Sequence, residues 1–464
     1  MSDVQPPAAG AQPQAAGAQP PAAESRATAD PLAAVEPPRT TPRRGLRRAA
    51  LDLGPLRRSR DFRLLFAGQA VSFTGSMVTY VALPYQVYAL THSSLLVGLL
   101  GLAELGPLLV TALLGGAIAD AFDRRRTVLL TELAMVVLTA SLLLNASLST
   151  PHVWPLYLVS GMFAAVDGLQ RPSLDALLPR VVDRTDLPAA IALASLRMNV
   201  GLVAGPPLGG LLIATAGLPT AYGFDLVSFA ASLAALAAMR ATPPPPDAER
   251  PSLAGIVAGW RYARSRPELL GTYLVDINAM LFGMPNALLP AIATRYGGAE
   301  ALGVLYAAPS VGSLVATLTS GWTYAVQRHG QAVALAAAGW GLAIVGFGFA
   351  PSLWLAAVSL GLAGVADNIS GLFRSRIWNE TVPDELRGRV AGIEMLSYSI
   401  GPLLGNVESG GVAAMTTVRV SVVSGGVLCI AGTALLAIVL PKFISYDASR
   451  HSALDDAMHT DTHV

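Results

Sequence analysis

The chain has 464 residues, 53% of them hydrophobic and 13% charged, a formal net charge of +1 and a mean hydropathy of +0.52. That much apolar surface exceeds what one or two soluble cores can bury, which places the chain in a bilayer, and so small a net charge gives no case for a nucleic-acid partner, whose phosphates need clustered basic surface. Cys429 is the only cysteine and Lys442 the only lysine, so disulfides, cysteine-based metal sites, redox motifs and a Walker A lysine are all excluded, and with the last of these an ATP-driven pump within this chain.

In chain order, residues 1–60 are rich in Pro, Ala and Gln, with the near-repeats AAGAQPQ and AAGAQPP, and read as a disordered tail. Its basic inner end abuts the first apolar tract, which is too long for a signal h-region and reads as an uncleaved span. Twelve apolar tracts follow, each near the roughly 20 residues that cross a bilayer: 64–90, 95–119, 127–146, 154–174, 187–214, 221–239, 269–293, 302–324, 332–349, 353–373, 390–415 and 418–440. A first six-span half thus covers residues 61–240 and a second covers 268–441. Between them, residues 241–267 contain TPPPPDAERP, which cannot continue a helix and has to lie in water or at the interface. Residues 442–464 form a C-terminal tail.

Loop arginines set the orientation. Arg124 to Arg126, Arg180, Arg184, Arg240 to Arg266, Arg328, Arg376 to Arg389 and Lys442 fall on one side, and Arg295 and Arg419 on the other. The positive-inside rule makes the first side cytoplasmic and puts both termini there. The expected location is the cell membrane, as a multi-pass monomer with the lipid bilayer as its surroundings.

The halves read as parallel repeats. Gly201, Gly205 and Gly210 recur as Gly401, Gly405 and Gly410, 200 positions later. Gly201, Gly205 and Gly209, spaced by four, allow close backbone approach between helices. Pro206 and Pro207 each remove a backbone hydrogen bond and add a bend.

Ionisable residues inside spans cost about 2.5 to 3.5 kcal/mol each and tend to face a wet cavity or a partner. Glu104, Asp167, Arg171, Arg197, Asp276, Asp367 and Arg374 are such residues. Arg171 lies four positions after Asp167, on the same helix face, where an internal ion pair is expected. Glu104 has no cationic neighbour on its own helix and lies near mid-depth, which makes it the leading proton-coupling candidate, with Asp167 and Asp367 as the others. Asp225, Glu408 and Glu132 fall near the ends of the expected tracts and are expected to be solvated. The histidines are too dispersed for a metal site; no cofactor and no enzyme chemistry is expected.

The loop sequence GGAIADAFDRRRTVLL, from Gly115, resembles the loop between the second and third helices of major facilitator superfamily transporters. Ala121 stands where that pattern usually has a basic residue, and Asp123 where it has its central glycine. The resemblance implies an all-α membrane protein of twelve helices in two parallel six-helix halves. It further implies a conformational latch of Gly116, Asp120, Arg124 and Arg125, in which Asp120 meets the N-terminus of the eleventh helix and pairs with nearby arginines. AGPPLGG, with Gly205, Pro206, Gly209 and Gly210, resembles a fifth-helix stretch associated with antiport in export branches. LGVLYAAPSVGSLVATLTSG, from Leu302, and THSSLLVGLL, from Thr91, resemble the branch of siderophore and drug exporters. What this implies is proton-driven export of a siderophore or an amphipathic drug-like compound. A nutrient importer on the same fold is the alternative, and a non-transporting receptor a more distant one.

Overall fold

A computed structural model describes residues 52–121, 124–240, 260–383 and 386–448, with the side chains of residues 112–121 and several between 388 and 396 left aside. The described residues are helical throughout, without strands. After a short helix, Gly54–Arg58, α1 runs Arg60–Thr91, α2 Ser94–Ala121, α3 Arg124–Ala146 and α4 Trp154–Val181. The helical run Leu187–Ala237 is two helices, α5 over residues 187–216 and α6 over 218–237, because Gly217 at φ 83 and ψ 171 breaks it. A side chain is rarely tolerated at that φ. Then come α7 (Pro267–Phe282), α8 (Ala299–Leu318), α9 (His329–Phe349), α10 (Leu353–Thr381), α11 (Arg387–Met415) and α12 (Val418–Val439). Nine of these helical stretches, with Leu187–Ala237 counted once, are long and apolar enough to cross a membrane. The more polar α4 carries Asp167, Arg171, Asp175 and Arg180, and α11 carries Arg387, Glu394 and Glu408.

Four boundaries differ from expectation, two of them because α4 runs on to Val181 and α10 to Thr381, past expected tract ends at 174 and 373. The seventh tract is not one continuous helix: α7 ends at Phe282, and a 3-10 turn at Asn286–Leu288 and a short helix at Leu289–Ala293 complete the crossing. Gly283 and Pro285 sit at the break, where proline cannot supply the hydrogen bond that would carry the helix on. The eighth helix stops at Leu318 and continues as 3-10 turns over Ser320–Ala325.

Glycines set the closest helix contacts, and they do so twice in the same pattern. A Cβ on Gly205 would lie 2.4 Å from the Met77 Cβ of α1, and one on Gly210 2.4 Å from the Ala299 carbonyl of α8. In the second half, a Cβ on Gly401 would lie 2.8 Å from the Met280 Cβ of α7, and one on Gly410 2.6 Å from the Ser94 carbonyl of α2. So α5 packs on α1 and α8 as α11 packs on α7 and α2, and the sequence repeat is also a packing repeat.

Candidate functional site

A cavity of about 530 Å³ is walled mainly by α1, α2, α4, α5 and α6. Phe73, Met77, Tyr80, Phe163 and Phe229 give it an aromatic and thioether lining, and Glu104, Asp167, Arg171, Asp175, Arg197 and Asp225 reach it from the same helices. A larger hollow of about 860 Å³ between α9 and α10 is lined almost wholly by apolar groups such as Leu335, Leu362 and Ile369, with Arg328 at its edge. Its polar lining is limited to Gln327, Arg328 and Gln331 around the start of α9, which makes it the weaker candidate for a small-molecule site.

The broken seventh crossing closes one end of the smaller cavity. Asn286, in its 3-10 turn, donates its amide to the Tyr80 hydroxyl at 3.0 Å and accepts from the Tyr306 hydroxyl through its carbonyl at 3.2 Å. The rings of Tyr80 and Tyr306 meet edge to face with centroids 5.2 Å apart. A regular helix would have used that carbonyl internally, so the break is what frees it to tie α1 to α8.

Glu104 lies ten residues into α2, about 15 Å along its axis, beside this cluster. It accepts a hydrogen bond from the Ser160 hydroxyl of α4. Gly161 next to that serine permits the approach, since a Cβ there would sit 2.8 Å from the Ala103 carbonyl. The expected Asp167–Arg171 pair is present at 2.9 Å, with the two side chains 42% and 60% exposed to the cavity. Asp367 also has a cation: Arg374 lies 3.6 Å from it and is bonded to Asp276, making a three-member ion cluster in the second half.

Two acids overturn the expectation of solvation. Asp225 is 0% exposed and Glu132 1% exposed, because α3 and α6 extend past the tract ends and place both within the helix packing. Asp225 accepts from the Thr79 and Ser228 hydroxyls, and Glu132 from the Gln69 amide at 2.6 Å and the Ser232 hydroxyl at 3.0 Å. Glu408 is half-buried, within α11 and away from its end. The signal that could have found the first two is the polar stripe Gln69, Ser72, Ser76 and Thr79, which recurs at helical spacing on α1 and needs a polar partner when buried.

Of the latch residues, the side chains of Gly116 and Asp120 lie outside the described residues. Arg125 donates to the Leu236 and Ala237 carbonyls at 3.1 and 2.7 Å and so caps the C-terminus of α6, a favourable place for a cation. Arg124 opens α3. Gly201 and Gly209 pack on Phe73 and Val78 of α1. Pro206 presents its carbonyl to Gly303 of α8, where a Cβ would lie 2.6 Å away. At the arginine-rich end, Arg58 donates to both carboxylate oxygens of Asp186 at 2.6 and 2.7 Å, and those bonds hold the Asp186 carboxyl below its ordinary value. Among the described residues no group of three or more His, Cys, Asp and Glu side chains is placed to hold a metal.

The family described as transmembrane secretion effector matches residues 50–461. The chain is 32% identical over 395 residues to the enterobactin exporter EntS of Shigella boydii serotype 4 (strain Sb227), covering 84% of this chain and 94% of that one. It is 31% identical to the enterobactin exporter EntS of Escherichia coli O1:K1 / APEC, with the same coverage. Among solved structures, a POT family transporter in complex with 5-aminolevulinic acid matches with a TM-score of 0.66 at 12% identity, over 83% of this chain and 97% of that one. The nucleoside transporter NupG matches with 0.64 at 12%, over 83% and 98%; at such identities these two share the fold. The helix order, the duplicated glycine packing and these likenesses agree: the chain is a multi-pass membrane transporter and belongs to the transmembrane secretion effector family of the major facilitator superfamily.

Proposed function

We propose that this transporter exports a siderophore or an amphipathic drug-like compound from the cytoplasm across the cell membrane, in exchange for protons. The observation that carries the reading is the cavity itself. Aromatic and thioether walls suit a largely apolar molecule, and a carboxyl group, Glu104, sits in it without a cation on its own helix. The similarity to enterobactin exporters over 94% of their length supports the direction and the siderophore class.

Both termini are cytoplasmic in this reading, since the arginine-rich loops share that side. The close contacts between the two sets of helices, Gly98 on Asn406, Gly101 on Leu403, Gly210 on Ala299 and Gly303 on Pro206, then lie toward the outer end, and the cavity opens inward to receive cargo. The halves, residues 61–240 and 268–441, rock about that seam as a monomer, with the linker 241–267 on the inner side. Asp120 and the arginines beside it latch the inner end when it closes.

Cells carrying the transporter are expected to retain less ethidium, or to release more enterobactin, than cells without it, and a protonophore is expected to abolish the difference. Efflux that survived the protonophore and stopped on ATP depletion would contradict the proposal.

A further inference from the structure

Besides Glu104, two carboxyl groups of the first half lie deeper in the protein and are joined by a polar seam. Gln69, Ser72, Ser76 and Thr79 line one face of α1, Asp225, Ser228 and Ser232 one face of α6, and Glu132 and Thr139 one face of α3. All but Ser76 are less than 9% exposed. At one end Thr79 donates to Asp225 Oδ2, and Ser228 donates to the Asp225 carbonyl at 2.8 Å and lies 3.2 Å from Oδ1. At the other, Gln69 and Ser232 both donate to Glu132 Oε1, while Oε2 has no hydrogen-bond partner. Gly75 lets the seam close: a Cβ there would lie 2.0 Å from Ser228 Oγ and 2.6 Å from Asp225 Oδ1.

The second half carries no acid at the position matching Asp225. Gly425 stands 200 positions after Asp225, and the second half's own buried acid, Asp276, is bound to Arg374. Among the described residues neither Asp225 nor Glu132 has a cation at salt-bridge distance. The charged and titratable groups that face them are Arg197 of α5, which bonds Gln69 at 3.4 Å and is itself faced by Asp175 of α4, and Tyr222 of α6. A carboxyl group held by hydroxyls, as the Asp225 side chain is, can be held with or without its proton, because a hydroxyl donates to a carboxylate and accepts from a carboxylic acid; Glu132 keeps Oε2 clear of the Gln69 amide, which binds Oε1. An arginine-bound carboxylate has no such freedom, since guanidinium only donates.

We infer that Asp225 and Glu132 form a second proton-carrying site, entered from the cavity at Asp225 and extended along the α1–α6 seam to Glu132. The inference rests on the proton-antiport reading and adds to it where the exchanged proton is held. Hydronium in the cavity transfers a proton to the Asp225 carboxylate, leaving water and the carboxylic acid. Release to water after the cavity reorients regenerates the carboxylate, and no other bond changes.

The test combines two measurements on the purified full-length protein in lipid. In acid-minus-base difference infrared spectra, the parent is expected to show carboxylic-acid C=O bands that disappear singly in Asp225→Asn and Glu132→Gln and remain in Glu104→Gln, apart from that residue's own band. In proteoliposomes, ethidium- or enterobactin-driven proton flux is expected to be lost in Asp225→Asn while downhill exchange of the same compound persists. Thr79→Val, which removes a donor without removing an acid, is expected to shift the pH profile of that flux, an effect a purely structural role would not produce. Spectra of the Asp225→Asn/Glu132→Gln double variant that match the parent, or unchanged proton flux in Asp225→Asn, would overturn the inference while leaving antiport through Glu104 standing. A parent that moves no protons with either compound would overturn the antiport reading and the coupling role together, and the spectra would still decide whether the seam titrates.

Discussion

Asp167 and Asp367 stand 200 positions apart, and both have an arginine in reach, but their surroundings differ. The Asp167–Arg171 pair is open to the cavity, with side chains 42% and 60% exposed, so screening leaves it about 0–1 kcal/mol. Asp167→Asn is therefore expected to change thermal unfolding in detergent only slightly. Arg374 is the contrasting case: its side chain is 19% exposed and its partner Asp276 6%. Removing it in Arg374→Gln leaves a buried carboxylate uncompensated, a loss of about 3–5 kcal/mol, which should appear as a large drop in melting temperature. At the membrane edge, Arg58 holds the Asp186 carboxyl below its ordinary value. A lowered folded value means a contribution present above the unfolded value of about 3.9 and lost as pH falls through the folded one. In Asp186→Asn the acid limb of the melting-temperature profile should flatten while the neutral limb stays parallel to the parent's; an unchanged acid limb would remove the pair from the account.

At the scale of elements, the tightest positions are glycines whose missing Cβ is replaced by another helix. A Cβ on Gly303 would lie 2.6 Å from the Pro206 carbonyl and 2.9 Å from the Pro207 Cα, so the contact cannot be relieved by a side-chain rotation. Gly303→Ala should cost about 1–3 kcal/mol by overpacking, or force α5 and α8 apart. Gly223→Ala, with nothing within 4 Å of its Cβ, is the control expected to be neutral, and melting curves of the two variants would separate a local clash from a general intolerance of alanine in helices. The same glycines show what the sequence makes legible. Apolar length locates most helix ends within a few residues but stops short at the ends of α4 and α10, where charged residues such as Asp175, Arg374 and Arg376 continue the helix, and the offset of 200 anticipates that α5 and α11 pack alike. The break at Gly283–Pro285 was hidden because the apolar run continues through it, and hydropathy does not register a missing hydrogen bond. Asp225 and Glu132 were misplaced for a related reason. Their exposure depends on where neighbouring helices pass, and a tract boundary drawn from composition stops short of that. Glu104 could be singled out from sequence because depth and the lack of a cation on its own helix are one-dimensional properties; its serine partner on α4 is not.

For the whole molecule, a cavity lined mostly by the first half faces a second half in which Arg374 binds the buried Asp276 and the partly exposed Asp367. In the proposed export cycle, proton exchange assigned to the first half alone makes the second half the rigid counterpart against which the cavity opens and closes, and the tie of Asn286 to Tyr80 and Tyr306 the contact that has to yield on the proposed outer side. Cargo and proton then share one cavity, so their occupancy is linked, as exchange requires. The direct measurement is uptake of ethidium and of enterobactin by proteoliposomes holding the purified transporter, with an acid interior imposed against a neutral exterior. Proton antiport predicts accumulation above the external concentration in the parent, its collapse when the pH gradient is dissipated, and in Glu104→Gln equilibration without accumulation. Accumulation by the parent that is indifferent to the pH gradient, or none for either compound in vesicles that still exchange them downhill, would contradict proton-coupled export.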